Sequence, residues 1–449
     1  VEEVLNDLKE WLRIPSVSAN PEAAGEVRRA AEYTLQLFKR AGLESVRLIE
    51  GEGHPLVYGE WLHAPGKPTL LCYGHYDVQP AEPLELWRTP PFEPTVLGDN
   101  LYARGAADDK GLAIILIRAV QHFLGAGKPL PVNVRFLFEG EEESGGDHVS
   151  AYLRSHRDEL QCDAALICDT EMFAPELPTI CVGLRGIVYA ELYVTTGEVD
   201  LHSGVYGGGV PNAIEAAARI VSSLKDKDGN FLIPGFDDDV IPPTEEEEQS
   251  WSALPFDMEA YRQDEAKVFE LHGEHGFGLF QQLWARPTLE IHGIGGGFTG
   301  EGSKTVIPCT AIVKLSCRLA PGQDPDRIVK LLSEAVASQA LHGTRTSLKV
   351  LGKAPASVVD PANPFVREAA EAMFEIFGNK TVFTRSGGSI PIVGLFKDVL
   401  GVPSVMTGFG LPDDNLHAPN EKVYLPNVYR GIEAIARYFE RLGERAEVK

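Results

Sequence analysis

At 449 residues the chain is longer than the roughly 250–300 at which a single hydrophobic core stops growing, so a one-domain architecture is set aside and two domains are expected. Hydrophobic residues at 44%, charged residues at 24% and a mean hydropathy of −0.10 exclude a disordered chain. The net charge of −24, with 65 acidic residues against 41 basic and no Lys/Arg block, argues against nucleic acid as a partner.

The six cysteines (Cys72, Cys162, Cys168, Cys181, Cys309 and Cys317) are scattered, without a Cys-x-x-Cys pair, and read as reduced thiols. The opening residues lack the basic-then-apolar pattern of a secretory signal. The longest apolar run, near 112–120, carries Arg118 and does not read as a membrane span. A cytoplasmic protein with no membrane partner is expected.

Residues 1–43 predict two helices, the second over 23–41 with Gly42 as its C-cap. Short strands follow at 46–49 and 56–61, then an apolar run over 69–77 that ends Gly-His75-Tyr-Asp77. If the strand persists to its end, the two-residue period points His75 and Asp77 the same way. Asp77 is then either a second metal ligand beside His75 or the carboxylate that fixes the imidazole tautomer. On its own, His-x-Asp reads more readily as two polar residues at a surface strand end.

After a proline-rich loop over 80–94, Arg104-Gly-Ala-Ala-Asp108-Asp-Lys-Gly opens a nearly all-apolar helix over 112–124, which must be buried. Asp108 and Asp109 fit helix capping, yet two adjacent carboxylates at the mouth of a buried helix also invite a cation. A strand over 132–138 runs into Glu139-Gly-Glu141-Glu142-Glu143, four acids that are costly there unless solvated or neutralised. A further apolar strand closes at Cys168-Asp169. Strand ends bearing His75, Glu142/Glu143 and Asp169, with Asp108 nearby, fit the rule that open α/β sheets bind ligands beyond the carboxyl ends of their strands.

From about Gly186 the order becomes strand 186–196, helix 211–224, a long acidic insert, strand 287–293, strand 310–320, helix 324–339 and strand 346–351. That βαββαβ order is the split-βαβ, ferredoxin-like sandwich inserted as a second domain. Its acidic runs, 237–239 and 245–248, read as solvated faces. The α/β pattern resumes with helix 364–377, strand 380–384, helix 391–399, strand 403–407, a loop carrying His417, and helix 426–442. The expected architecture is α/β: a discontinuous first domain over 1–185 and 358–449, its mixed sheet flanked by helices, interrupted by a second domain over 186–357.

Five ordered blocks, His75-Tyr-Asp77, Arg104-Gly-Ala-Ala-Asp108-Asp-Lys-Gly, Glu141-Glu142-Glu143-Ser-Gly, Cys168-Asp169 and Asn415-Leu-His417-Ala-Pro-Asn-Glu421, together resemble the co-catalytic metallopeptidase superfamily of carboxypeptidase G2, aminoacylase-1 and succinyl-diaminopimelate desuccinylase. Within it the chain looks most like the cytosolic non-specific dipeptidases and carnosinases. The segments Asp200-Leu-His202-Ser-Gly-Val-Tyr-Gly-Gly and Gly296-Gly-Phe-Thr-Gly-Glu-Gly-Ser-Lys-Thr305-Val-Ile-Pro, and an aspartate at 169, carry that likeness. The chain departs at Thr384-Arg-Ser386-Gly-Gly-Ser389-Ile-Pro, where those dipeptidases usually have Glu at 386, and this leaves substrate preference open.

The resemblance implies two divalent ions, zinc first and manganese second. One would be held by His75, Asp108 and Asp169, the other by Asp108, Glu143 and His417, with Asp108 bridging. It also implies that Asp77 orients His75, that Glu142 is the general base, and that the 108–109 peptide is cis. His202, Thr305, Arg318 and Ser389 would bind substrate, with His202 reaching the site of the partner in a homodimer built through the second, lid domain. A mixed carboxylate and imidazole set without thiolate suits zinc or manganese, and paired ions activate water and polarise a carbonyl.

The expected activity is metal-dependent hydrolysis of dipeptides or short peptides with a free C-terminal carboxylate. The alternatives are a deacylase of N-acyl amino acids and a catalytically silent binding protein. The remaining histidines receive no role.

Overall fold

A computed structural model of the chain describes residues 2–388 and 390–445, which fall into two compact units. Unit 1 comprises Val1–Val182, Val359–Thr384 and Leu395–Lys449; unit 2 comprises Gly183–Val358 and Arg385–Gly394.

The sheet of unit 1 runs, in spatial order, through Glu44–Ile49, Leu56–Trp61, Asn133–Glu139, Thr69–His75, Ala164–Ile167, Ser404–Thr407 and Thr179–Leu184. Asn133–Glu139, Thr69–His75, Ala164–Ile167 and Ser404–Thr407 pair in parallel, and antiparallel strands flank them on both sides. The sheet is therefore mixed, and helices flank it. Parallel strands covered by helices must be apolar throughout, as the wholly buried Ala164–Ile167 is.

Helix Lys110–Leu124 is the central packing element, in contact with Glu2–Leu12, Ala24–Ala41 and Leu425–Glu444. Its residues Ile114 to Ile117 are at most 1% exposed, and each such side chain contributes about 1.5–3 kcal/mol on burial. The polar residues it carries inward are partnered. Lys110 donates to the carbonyls of Trp11 and Ile14, and Arg118 pairs with Asp7 and Glu3. Helix Ala24–Ala41 ends at Gly42, whose left-handed φ of 91° closes the C-cap.

Unit 2 has its own core and a four-stranded antiparallel sheet in the order Thr288–Gly296, Thr310–Leu319, Gly186–Thr195, Arg345–Ala354. Helices Ala213–Ser222 and Pro325–Ser338 pack on it, giving the chain order strand, helix, strand, strand, helix, strand. The strand Gly186–Thr195 alternates buried and half-buried along its length, as expected of a sheet with one face on a core.

One sequence expectation fails in the acidic insert. Residues 245–248 are not simply a solvated face, because they open helix Glu245–Ser252 and Glu247 points inward to a bidentate ion pair with buried Arg385. Thr244 and Glu247 also close a capping box. A run of four glutamates carries no signal that distinguishes the inward one.

Candidate metal centre

The strand Thr69–His75 stops at His75, so Asp77 lies past its end and reaches the imidazole through the loop, not through the strand period. Asp77 Oδ1 sits 3.3 Å from His75 Nδ1, and the Asp77 carbonyl 3.1 Å from the same nitrogen. The other Asp77 oxygen accepts from Ser18 Oγ at 2.6 Å and from the Glu143 amide at 3.1 Å. Asp77 thus ties the His75 loop to the Glu143 turn.

The remaining nitrogen of His75, Nε2, faces Asp108 Oδ1 at 3.0 Å and Asp169 Oδ2 at 4.0 Å. Asp108 Oδ2 lies 2.8 Å from His417 Nε2, which is also 3.3 Å from Glu143 Oε2. Each Asp108 oxygen therefore meets a different imidazole. The ligand atoms of His75, Asp108 and Asp169 lie within 4.8 Å of one another, as do those of Asp108, Glu143 and His417.

Local structure explains how five remote segments converge. Asp169 follows the buried strand Ala164–Ile167, whose neighbours on either side are the His75 strand and Ser404–Thr407. Glu142 and Glu143 start a short 3₁₀ turn after strand Asn133–Glu139. Asp108 precedes helix Lys110–Leu124 across a cis Asp108–Asp109 peptide. His417 has a φ of +57° in a loop where Asn415 and Asn420 are also left-handed, a conformation that costs a non-glycine residue roughly 1–2 kcal/mol.

Capping does not explain the aspartate pair. Asp109 makes no side-chain cap to its helix; its Oδ2 accepts from the His75 amide at 3.1 Å and braces the strand end. The other glutamates of the acidic run also have separate tasks. Buried Glu139 accepts from Tyr73 Oη at 2.5 Å, and Glu141 accepts from the His54 amide.

The electrostatics are those of crowded acids. Burial pushes the Glu142 carboxyl up to about 7, with Glu143 and Asp108 adding to it against His75. Asp169 is driven well above its ordinary range by burial and by Asp109 and Asp108. Burial opposes ionisation of Asp108 as well, but hydrogen bonds to His417 and His75 hold it below the usual carboxylate range. His417, hydrogen-bonded to Asp108 and Glu143, is raised to about 10.

Divalent cations fit these residues. Glu143 Oε1 is buried without a hydrogen-bond partner, the kind of orphaned acceptor that a metal satisfies. Carboxylate and imidazole donors without thiolate suit hard to borderline ions. Gln79, which donates from Nε2 to Glu143 Oε2 at 2.8 Å, supplies the supporting contact such ligands need.

A sequence model described as Peptidase family M20/M25/M40 matches residues 71–441. The chain belongs to that family. The M20/M25/M40 chain is 31% identical to the Cys-Gly metallodipeptidase DUG1 of Candida albicans, over 97% of this chain and 94% of the relative. It is 32% identical to the human β-Ala-His dipeptidase, over 99% of this chain and 90% of that one. Among solved structures it resembles the M20 family metallo-carboxypeptidase Sso-CP2 from Sulfolobus solfataricus, with a TM-score of 0.89 and 32% identity over 99% of this chain and 100% of that one. The family is one of peptidases, and the relatives the chain matches over nearly its whole length are named metallodipeptidases and dipeptidases.

In unit 2, His202 and Thr305 are brought together by the antiparallel pair Leu201–His202 and Val306–Ile307, with His202 Nε2 3.4 Å from Thr305 Oγ1. His202 Nδ1 accepts from the Gly204 amide, which assigns the proton of a neutral ring to Nε2. Arg318 is half-buried near the end of Thr310–Leu319, opposite Ile187 and Thr288. Ser389 lies outside the described residues. The sequence marks Asp109 only as one of two carboxylates inviting a cation and marks Ser18 and Gln79 not at all, because each acts by a long-range hydrogen bond that no local spacing encodes. No described helix is long and apolar enough to cross a membrane.

Proposed function

We propose that the chain hydrolyses dipeptides and short peptides with a free C-terminal carboxylate, using two divalent ions. His75, Asp108 and Asp169 would hold one, Asp108, Glu143 and His417 the other, with zinc the best match to the donors and manganese also accepted. The observation that carries this reading is Asp108, whose two oxygens face two imidazoles. Bound there, the ions supply water activation and polarisation of the scissile carbonyl.

The chain's own residues then divide the work. Glu142, whose carboxyl is raised to about 7, takes the proton of the attacking water and hands it to the leaving amine nitrogen. Asp77 holds the His75 ring by its Nδ1 side so that Nε2 faces the site. Arg318 and Thr305, with Ser389, bind the substrate carboxylate and backbone, and His202 stabilises the oxyanion from the partner of a homodimer.

We assign residues 1–185 and 358–449 to the catalytic domain, except Arg385–Gly394, which clusters with unit 2, and 186–357 to a ferredoxin-like lid that also carries the dimer contact; the strand and helix order of unit 2 supports the ferredoxin-like assignment. Six free cysteines support a reducing, cytoplasmic setting. Cys-Gly and β-Ala-His, named for the relatives, are the first substrates to test.

The experiment is a substrate panel on metal-free protein reconstituted with each ion. Turnover of dipeptides and none of N-acetyl or N-succinyl amino acids supports the reading. The reverse order indicates a deacylase, and inactivity of the fully loaded protein on every substrate indicates a binding protein.

A further inference from the structure

Behind the proposed ligands lies a second, wholly buried charged pair. Glu421, fully inaccessible to solvent, accepts four hydrogen bonds. Its Oε1 receives the amides of Ala107 at 2.9 Å and Asp108 at 3.1 Å; its Oε2 receives the Gly105 amide at 3.0 Å and Arg104 Nη1 at 2.7 Å. Arg104, 1% exposed, uses Nη2 to donate to the carbonyls of Pro80 at 3.1 Å and Ala418 at 3.3 Å.

We propose that Arg104 and Glu421 are a positioning pair that sets Asp108 and His417 for simultaneous binding of two cations. It rests on the reading of those two residues as ligands.

Three loops meet at this pair: the one following His75 and Asp77 through Pro80, the one carrying Asp108, and the one carrying His417. An acceptor on the amide of Asp108 itself fixes the backbone from which the bridging carboxylate projects. Since Glu421 and Ala418 share the His417 loop, the same contacts fix the distance between Asp108 and His417, whose side chains lie 2.8 Å apart. A carboxylate is suited to this task because it is acceptor-only, with room for four donors on two oxygens. In Glu421→Gln the amide nitrogen must oppose two of those donors whichever way it is turned.

The test measures ion affinity by chelator competition, the visible spectrum of the cobalt-loaded protein, kcat and KM, and thermal unfolding of the metal-free form. For Glu421→Gln the expected result is an affinity for at least one ion reduced about 10–100-fold, as for other groups that orient metal ligands. It also includes an altered cobalt spectrum and a lower kcat at unchanged KM. Asp414→Asn is the control. Asp414 is buried in the same stretch and paired with Lys422 at 2.7 Å, so its loss should lower the unfolding temperature and leave ion affinity unchanged.

Ion affinity and cobalt spectrum identical to the parent in Glu421→Gln overturn the inference, as does an equal loss of affinity in Asp414→Asn. Arg104→Lys, which keeps the charge but cannot bridge Glu421, Pro80 and Ala418 together, is the second variant and should weaken the same ion. If neither variant folds, the pair is a fold element and the inference is overturned. A parent protein that binds no ions overturns the proposed function along with it; a parent that binds two, beside an unaffected Glu421→Gln, overturns this inference alone.

Discussion

Glu142 and Glu143 are adjacent, yet the structure gives them different surroundings. Glu143 is held by Gln79 and faces His417, while Glu142 is raised by burial to about 7 and makes no comparable contact with the histidines. Glu142→Gln should therefore reduce kcat by about 10²–10⁴-fold while two ions remain bound, as read by elemental analysis alongside kinetics. Glu142 and buried Glu139 set a pH dependence of stability in the metal-free protein. Glu142 and Glu139, raised to about 7 and about 8 from an ordinary 4.5, favour folding when protonated; that contribution is complete below about 4.5 and lost as pH rises through about 8. His417, raised to about 10, acts in the same direction across neutral pH. Thermal unfolding of metal-free protein should move to lower temperature between pH 5 and about 8, and added zinc should raise it more at the alkaline end. A flat profile would contradict the electrostatics described for the site.

At the level of elements, the loop before helix Lys110–Leu124 has no spare room. A Cβ at Gly111 would lie 1.8 Å from the Ala106 carbonyl oxygen, so Gly111→Ala must displace the segment that carries Asp108. The expected cost is about 1–3 kcal/mol or more in denaturant unfolding, together with weakened ion binding. Glu247→Ala should cost about 3–5 kcal/mol of unit 2 stability by leaving Arg385 buried and unpaired. These elements also mark what sequence could reveal. The His75 strand, the buried helix behind Asp109 and the βαββαβ order were legible because apolar periodicity dictates them locally. The inward turn of Glu247, the bracing of His75 by Asp109 and the Glu421 contacts were not, since residues as far apart as 104 and 421 meet only once the sheet is assembled. The loop blocks around Arg104 and Glu421 stand out in the sequence as motifs, but their hydrogen bonding depends on backbone amides that composition does not display.

For the molecule as a whole, the two units have separate hydrophobic cores, and every proposed ligand belongs to unit 1. Ligands that bind only the native state raise its stability by mass action. Calorimetry should thus show a unit 1 transition that rises on metal loading and falls on chelation, with the unit 2 transition unmoved. Homodimerisation is tested separately by solution mass.

The central claim is that five separated segments build a two-ion site around Asp108. Anomalous diffraction from zinc-loaded crystals addresses it most directly. The account predicts two peaks, one among His75, Asp108 and Asp169 and the other among Asp108, Glu143 and His417. A single peak, or ions bound elsewhere with Asp108 left unligated, would contradict it.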